Sequence, residues 1–304
     1  MDLNRDAMLV GLHIAAWSGR LYDRQASDHV AVAHEASTGA GRYNKRLLPK
    51  AAFAALTATM SEARTKHYAN SLPWDDKGAR LLTVANYEHY TELMDALRER
   101  VVRQRARFIE GYDDYIDQSR LDLGKLFRIE DYPSKEALQG KFAIRYRITP
   151  VPDADHFIAQ LASDDTERVK RDIERHVEEQ LHGAVGDLYR RMAEAVERVS
   201  ERLQEDGDGK PLVFRDTMIS NIRDLVDVVP RLNIFGDETL AQLCEQVKEK
   251  IASVEPDALR PSRTFDPAAR AQVKRDADDL AEKFAGYFGT RAEEPAAEPV
   301  REAA

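Results

Sequence analysis

At 304 residues the chain is long enough for one large domain or two ordinary ones, and it can bury a sizeable core without disulfides or a structural metal. A composition of 43% apolar and 33% charged residues excludes a membrane protein and fits a soluble, helix-rich chain. With 45 basic residues against 54 acidic ones, the net charge of -9 argues against wholesale coating of nucleic acid but leaves room for a local basic face.

In chain order, residues 8–17 alternate as a largely buried strand would, and Ser18, Gly19 and Arg20 break the pattern. Residues 26–36 predict a short helix, followed by a turn-prone stretch and a loop across 39–50. Pro49 suits the start of an alanine-rich helix that Pro73 stops. The first long helix is predicted over 86–119. Its apolar residues Tyr87, Tyr90, Met94, Leu97, Val101, Phe108 and Tyr115 fall on a heptad ladder, interrupted at Gln104 and Gly111, where a kink is expected.

Tyr132, Pro133 and Ser134 cap a short helix to about Gln139. Residues 142–148 then alternate strictly, with Phe142, Ile144, Tyr146 and Ile148 on one face and Arg145 and Arg147 on the other, which predicts a strand; an edge strand is read at 156–159. The second long helix is predicted over 164–204, with an apolar stripe from Val169 to Leu203. Gly183 and Gly186 lie inside it, each costing about 1 kcal/mol relative to alanine, which close approach of another helix would explain. Shorter helices are read at 216–229, 238–253 and 267–288, separated by Pro230, Gly236, Pro256 and Pro261. The tail 290–304 has no apolar period and reads as disordered.

These elements predict an α+β chain, predominantly α: an elongated antiparallel hairpin of the two long helices with a small β-sheet and short C-terminal helices. Along the chain the expected divisions are an N-terminal region at 1–163, a helical region at 164–289 and the tail. The heptad stripe can close within one chain or between two, so oligomeric state stays open.

The single cysteine, Cys244, sits in an apolar helical stripe and reads as packing, not catalysis. Asp2 and Asp6 at the N-terminus do not suit a signal peptide, and no apolar run is long enough to span a bilayer, so a cytoplasmic protein is expected. His34-Glu35 begins like a zinc-protease helix, but Thr38 stands where the second histidine belongs. Glu179 and His182 have di-iron spacing without a second such pair. The two glycines Gly39 and Gly41 lack the third of a dinucleotide fingerprint, and no phosphate-binding loop is present. No catalytic, cofactor or metal residue is therefore assigned, and the chain is read as no enzyme.

The charge pattern is more informative. Arg42, Lys45, Arg46 and Lys50 cluster around Tyr43, Arg64 and Lys66 follow on the next helix, and Trp74 lies in a loop beyond. Phosphates attract such cations, and an exposed aromatic ring can stack on a base. Residues 1–80 carry eleven basic against eight acidic side chains, opposite in sign to the rest. A second group, Arg98, Arg100, Arg103, Arg105 and Arg107, is expected to pair with Glu174, Glu178 and Glu179 across the hairpin or to stay solvated. Trp17 is read as a core residue.

Five segments carry a likeness: Trp17-Ser18-Gly19-Arg20, Gly41-Arg42-Tyr43-Asn44-Lys45, Ala63-Arg64-Thr65-Lys66-His67-Tyr68, Leu72-Pro73-Trp74 and Val229-Pro230-Arg231-Leu232-Asn233. Together they resemble an uncharacterised family of tailed phages, prophages and bacterial mobile elements, over about residues 8–250. That family has no assigned activity, so no residue role is carried over from it. Some relatives are encoded beside MoxR-like ATPases and von Willebrand factor A-type proteins, which implies a partner of one of those kinds. The expectation is a non-enzymatic accessory or interaction protein of a phage or mobile element, working through protein contacts of the helical hairpin. The alternative is a nucleic-acid-binding protein using residues 39–50 with Arg64, Lys66 and Trp74.

Overall fold

A computed structural model describes residues 3–75, 78–151, 163–207, 209–261 and 264–292. One helical turn, α1 (Leu3–Asp6), leads into strand β1 (Ala7–Ala15), and the short β2 (Arg20–Tyr22) follows. Asp23 caps α2 (Arg24–Ala33), its carboxylate accepting the Ala26 N–H at 2.9 Å. Next comes β3 (Asn44–Arg46), then a 3-10 turn, Lys50–Phe53, that opens α3 (Ala54–Ala69) with Pro49 at its cap. β4 (Leu72–Pro73) and β5 (Arg80–Thr83) run into α4 (Val84–Glu110). Gly111 ends that helix where the sequence predicts a kink, and α5 (Tyr112–Leu123) resumes. Ser134 caps α6 (Lys135–Leu138), and β6 (Ala143–Pro150) follows. The remaining helices are α7 (Ser163–Arg202), α8 (Asp216–Leu232), α9 (Glu238–Val247), which continues as a π turn through Ala252, and α10 (Pro267–Ala292). The chain is α+β and predominantly α. No helix among the described residues is long and apolar enough to cross a membrane.

One sheet has the order β4-β5-β1-β6, with β1 antiparallel to β5 from Ala7 opposite Thr83 to Val10 opposite Arg80. The other is the β2–β3 pair. The fold divides into two compact units that interleave along the chain: Met1–Val10, Ala69–Glu88 and Ile148–Ala304 form the first, and Gly11–Tyr68 with His89–Arg147 form the second. The division at residue 163 read from the sequence is a boundary along the chain, whereas these units share β1, α4 and β6.

In the first unit, α7 buries Leu188, Met192, Val196, Val199 and Leu203 against Ile219, Ile222 and Val226 of α8 and against Val273, Leu280 and Phe284 of α10. Helix α10 runs antiparallel to α7: Arg270 donates to the Arg202 carbonyl at 3.0 Å, Ser200 bonds Asp278, and the Tyr189 and Phe284 rings lie 6.3 Å apart. In the second unit, α4 buries Tyr90, Met94, Leu97, Val101 and Phe108. There Phe108 packs on Phe53 and Phe142, at ring separations of 5.4 and 5.2 Å. The buried part of the α7 stripe, from Leu188 to Leu203, thus lies against α8 and α10, and that of α4, from Tyr90 to Phe108, lies in the second unit.

Three expectations are corrected. Pairing of the α4 arginines with Glu174, Glu178 or Glu179 is the first: Arg98 pairs with Asp95, Arg100 with Glu62 and Arg103 with Glu99, all three staying exposed as the other alternative has it, and Arg105 donates to the Gln139 carbonyl. Pro230 lies inside α8 and does not end it. A Cβ at Gly183 or Gly186 would meet no atom within 4 Å, so no helix approaches closely there. The edge strand read at 156–159 and the tail beyond residue 292 lie outside the described residues.

Candidate nucleic-acid interface

The site is built on the β2–β3 pair of the second unit. Its register sets Arg20 opposite Arg46, Leu21 opposite Lys45 and Tyr22 opposite Asn44. Side chains alternate between the faces of a strand, so Lys45 must point away from Asn44 and Arg46. Helix α2 holds the pair in place: the Ser27 hydroxyl donates to the Asp23 carbonyl at 2.7 Å and accepts the Tyr43 N–H at 2.9 Å. Gly19, at φ +61, accepts the Leu47 N–H at 2.7 Å just before the pair begins. Its missing side chain matters, because a Cβ there would collide with the Phe53 ring.

Lys45 is only 2% exposed. Its ammonium lies 3.0 Å from Asp23 and 2.7 Å from Asp131 and donates to the Leu126 carbonyl at 3.0 Å. Burial alone pulls its pKa down, but the hydrogen bonds to Asp131 and Asp23 outweigh that and hold it above the usual lysine value. A charge so enclosed is not open to a phosphate, which corrects the sequence assignment of Lys45 to the interface. Trp74 needs the same correction: it is 3% exposed and belongs to the core of the first unit, where it cannot stack on a base.

Arg20, Arg46 and Lys50 line a cavity of about 750 Å³ together with Trp17, Ser18, Ala51, Phe53, Ala54, Thr57 and Ala58. Among the described residues these three cations make no ion pair, and no carboxylate or histidine lines the cavity. The backbone adds to the positive character. Pro49 supplies no side-chain cap to the turn that opens α3, so its first N–H groups stand at the positive end of the helix beside Lys50 and Ala51. Arg20 and Arg46 also line, with Tyr43, a smaller hollow of about 440 Å³ that holds Asp122. Of the two hollows, the one beside Trp17 has no acid in its lining.

Of the other predicted residues, Arg42 is exposed with its guanidinium 5.8 Å from the centre of the Tyr22 ring, and Tyr43 is exposed beside it. Arg64 is exposed and Lys66 half-buried on α3, and neither lines the cavity. The sequence reading missed Arg20 and Trp17 as site residues. Their signal is a three-residue strand entered through Gly19, visible only once Arg20-Leu21-Tyr22 is paired with Asn44-Lys45-Arg46. The arrangement can hold an anion next to an apolar wall; Ser18 and Thr57 have no base beside them in the cavity to make either a nucleophile. Among the described residues no group of three or more His, Cys, Asp or Glu is placed to hold a metal ion. Comparison with protein-family models, curated proteins and solved structures finds no match to this chain.

Proposed function

We propose that the chain is a non-enzymatic accessory protein that binds nucleic acid through the arginine face of β2 and β3. The observation that carries this reading is the trio Arg20, Arg46 and Lys50, without an ion pair among the described residues, around a cavity whose lining holds no acid. Like charges directly opposite on paired strands repel, and so do the Arg20 and Arg46 guanidiniums; a bound phosphate between them turns that repulsion into two charge-assisted bonds. A phage or mobile-element setting belongs to the same proposal and rests on the five segments that carry the resemblance.

The test is a fluorescence-anisotropy titration of a labelled single strand at low salt. Wild type should bind, and the Arg20→Gln/Arg46→Gln double variant should bind at least roughly tenfold more weakly, each lost charge-assisted contact being of that order. Absence of binding by wild type, or equal binding by the variant, refutes the reading.

A second reading, contact with another protein, is favoured by the first half of α7. There Ile173, Val177 and Leu181 are half-buried, and Phe235, 43% exposed, shares a hollow with Leu181 and Val185. In that reading the partner is a MoxR-like ATPase or von Willebrand factor A-type protein, and a hairpin of the long helices is its finer structural form.

A further inference from the structure

We propose that the cavity beside the arginine pair is a nucleobase pocket, so that the bound nucleic acid is single-stranded and turns one base into the space between Trp17 and α3. This rests on the nucleic-acid reading above and adds to it the form of the strand. Phosphates alone require only a charged surface, and here the charges stand at a hollow of about 750 Å³, within the roughly 300–1,000 Å³ of small-ligand sites.

The walls suit a flat ring. On α3 the lining residues Ala54, Thr57 and Ala58 follow at i, i+3 and i+4, so one helix face presents only small side chains. Further apolar surface comes from Trp17 and Phe53. Trp17 is half-buried, and Phe53, its ring neighbour among the described residues, meets it at 76° and 5.7 Å. That edge contact fixes the indole without supplying a stacked partner. Bases stack on such rings whatever their identity, whereas the bases of a duplex are already stacked and would have to be unpaired first. Arg20, Arg46 and Lys50 belong to the same cavity, so base and phosphate contacts fall within one site.

Tryptophan emission reads the pocket directly, because the only other tryptophan, Trp74, is buried in the other unit's core. Oligothymidylate should quench it. An abasic strand of the same length and phosphate count should bind roughly tenfold more weakly by anisotropy, the loss expected for one stacked base. A duplex should bind no better than the abasic strand. Ala58→Leu fills the cavity from an exposed helix position, so the fold survives; it should bring oligothymidylate down to the abasic affinity and leave the abasic strand unchanged. Equal binding of both strands by wild type, or an Ala58→Leu variant that still prefers the base, overturns the pocket and leaves the arginine face standing. Failure of both strands to bind overturns the nucleic-acid reading and the pocket with it. A mononucleotide that binds as tightly as the strand, or an acidic peptide that displaces it charge for charge, also overturns the inference.

Discussion

Lys45 and Arg46 are neighbours in the chain and face opposite ways, and their substitutions should separate accordingly. Lys45→Ala leaves Asp23 and Asp131 facing one another with no cation between them. Removing one member of a buried ionic cluster costs about 3–5 kcal/mol, so a large drop in the denaturant midpoint is expected, and an unchanged midpoint would refute the assigned role. Arg46→Gln should change the unfolding free energy by no more than about 0.5 kcal/mol, being an exposed change with no side-chain bond to lose among the described residues. The cluster also sets a pH window. Asp23 is held below its ordinary 3.8, first by the Ala26 N–H and then by Lys45, so its contribution is complete above 3.8 and fades as pH falls through the lower folded value. Lys45 is held above 10.5, so its contribution is complete below 10.5 and fades as pH rises through the higher folded value. Acid and alkaline unfolding curves of Asp23→Asn should show both slopes reduced. Gly19→Ala belongs to the same scale: its positive φ and the Phe53 ring, itself packed against Phe108 and Phe142, leave a methyl group no room, and weaker folding with loss of binding is expected together.

At the scale of elements, α7 carries two glycines that nothing in its surroundings uses. Gly183 is exposed and Gly186 half-buried, and a methyl group at either would meet open space. Alanine should therefore stabilise the helix by about 1 kcal/mol at each position, read as a higher denaturation midpoint; a fall would mean that the backbone there needs its freedom. Element ends written in local chemistry were legible in the sequence: Pro49 before α3, Gly111 between α4 and α5, and Ser134 at α6. So was the packing role of Cys244, which is buried and whose thiol pKa burial pushes up to about 11. What stayed hidden is what periodicity does not encode. Three residues, the length of β2 and of β3, are too few to show alternation, so Lys45 read as one more loop cation beside Arg46. A stripe likewise records that a helix face is covered and not by what, so the cover that α8 and α10 give the C-terminal half of α7 is not legible in it. Trp74 was undecidable for the same reason: its Pro73–Asp75 neighbourhood reads as a loop, while the core that encloses it is built mainly from residues more than a hundred positions away.

For the whole molecule, the net charge of -9 opposes any polyanion at long range, while the arginine face attracts one at contact. The balance is set by ionic strength. Above about 0.1 M the screening length is near 10 Å, so the distant acids are hidden and the local cations dominate. There the plot of log K against log salt should have a slope of about -2 for a single strand, the value for neutralising three phosphates with Arg20, Arg46 and Lys50, or nearer -3 if Arg42 joins them. Toward 0.01 M the screening length grows to about 30 Å, the whole acidic surface is felt, and the same plot should flatten. A basic protein would keep tightening over that range. A slope near zero at high salt would mean that phosphates are not what Arg20 and Arg46 hold. A slope steeper than about -5 would require cations beyond this cavity, with Arg64, Arg145 and Arg147, all exposed in the second unit, the first to replace.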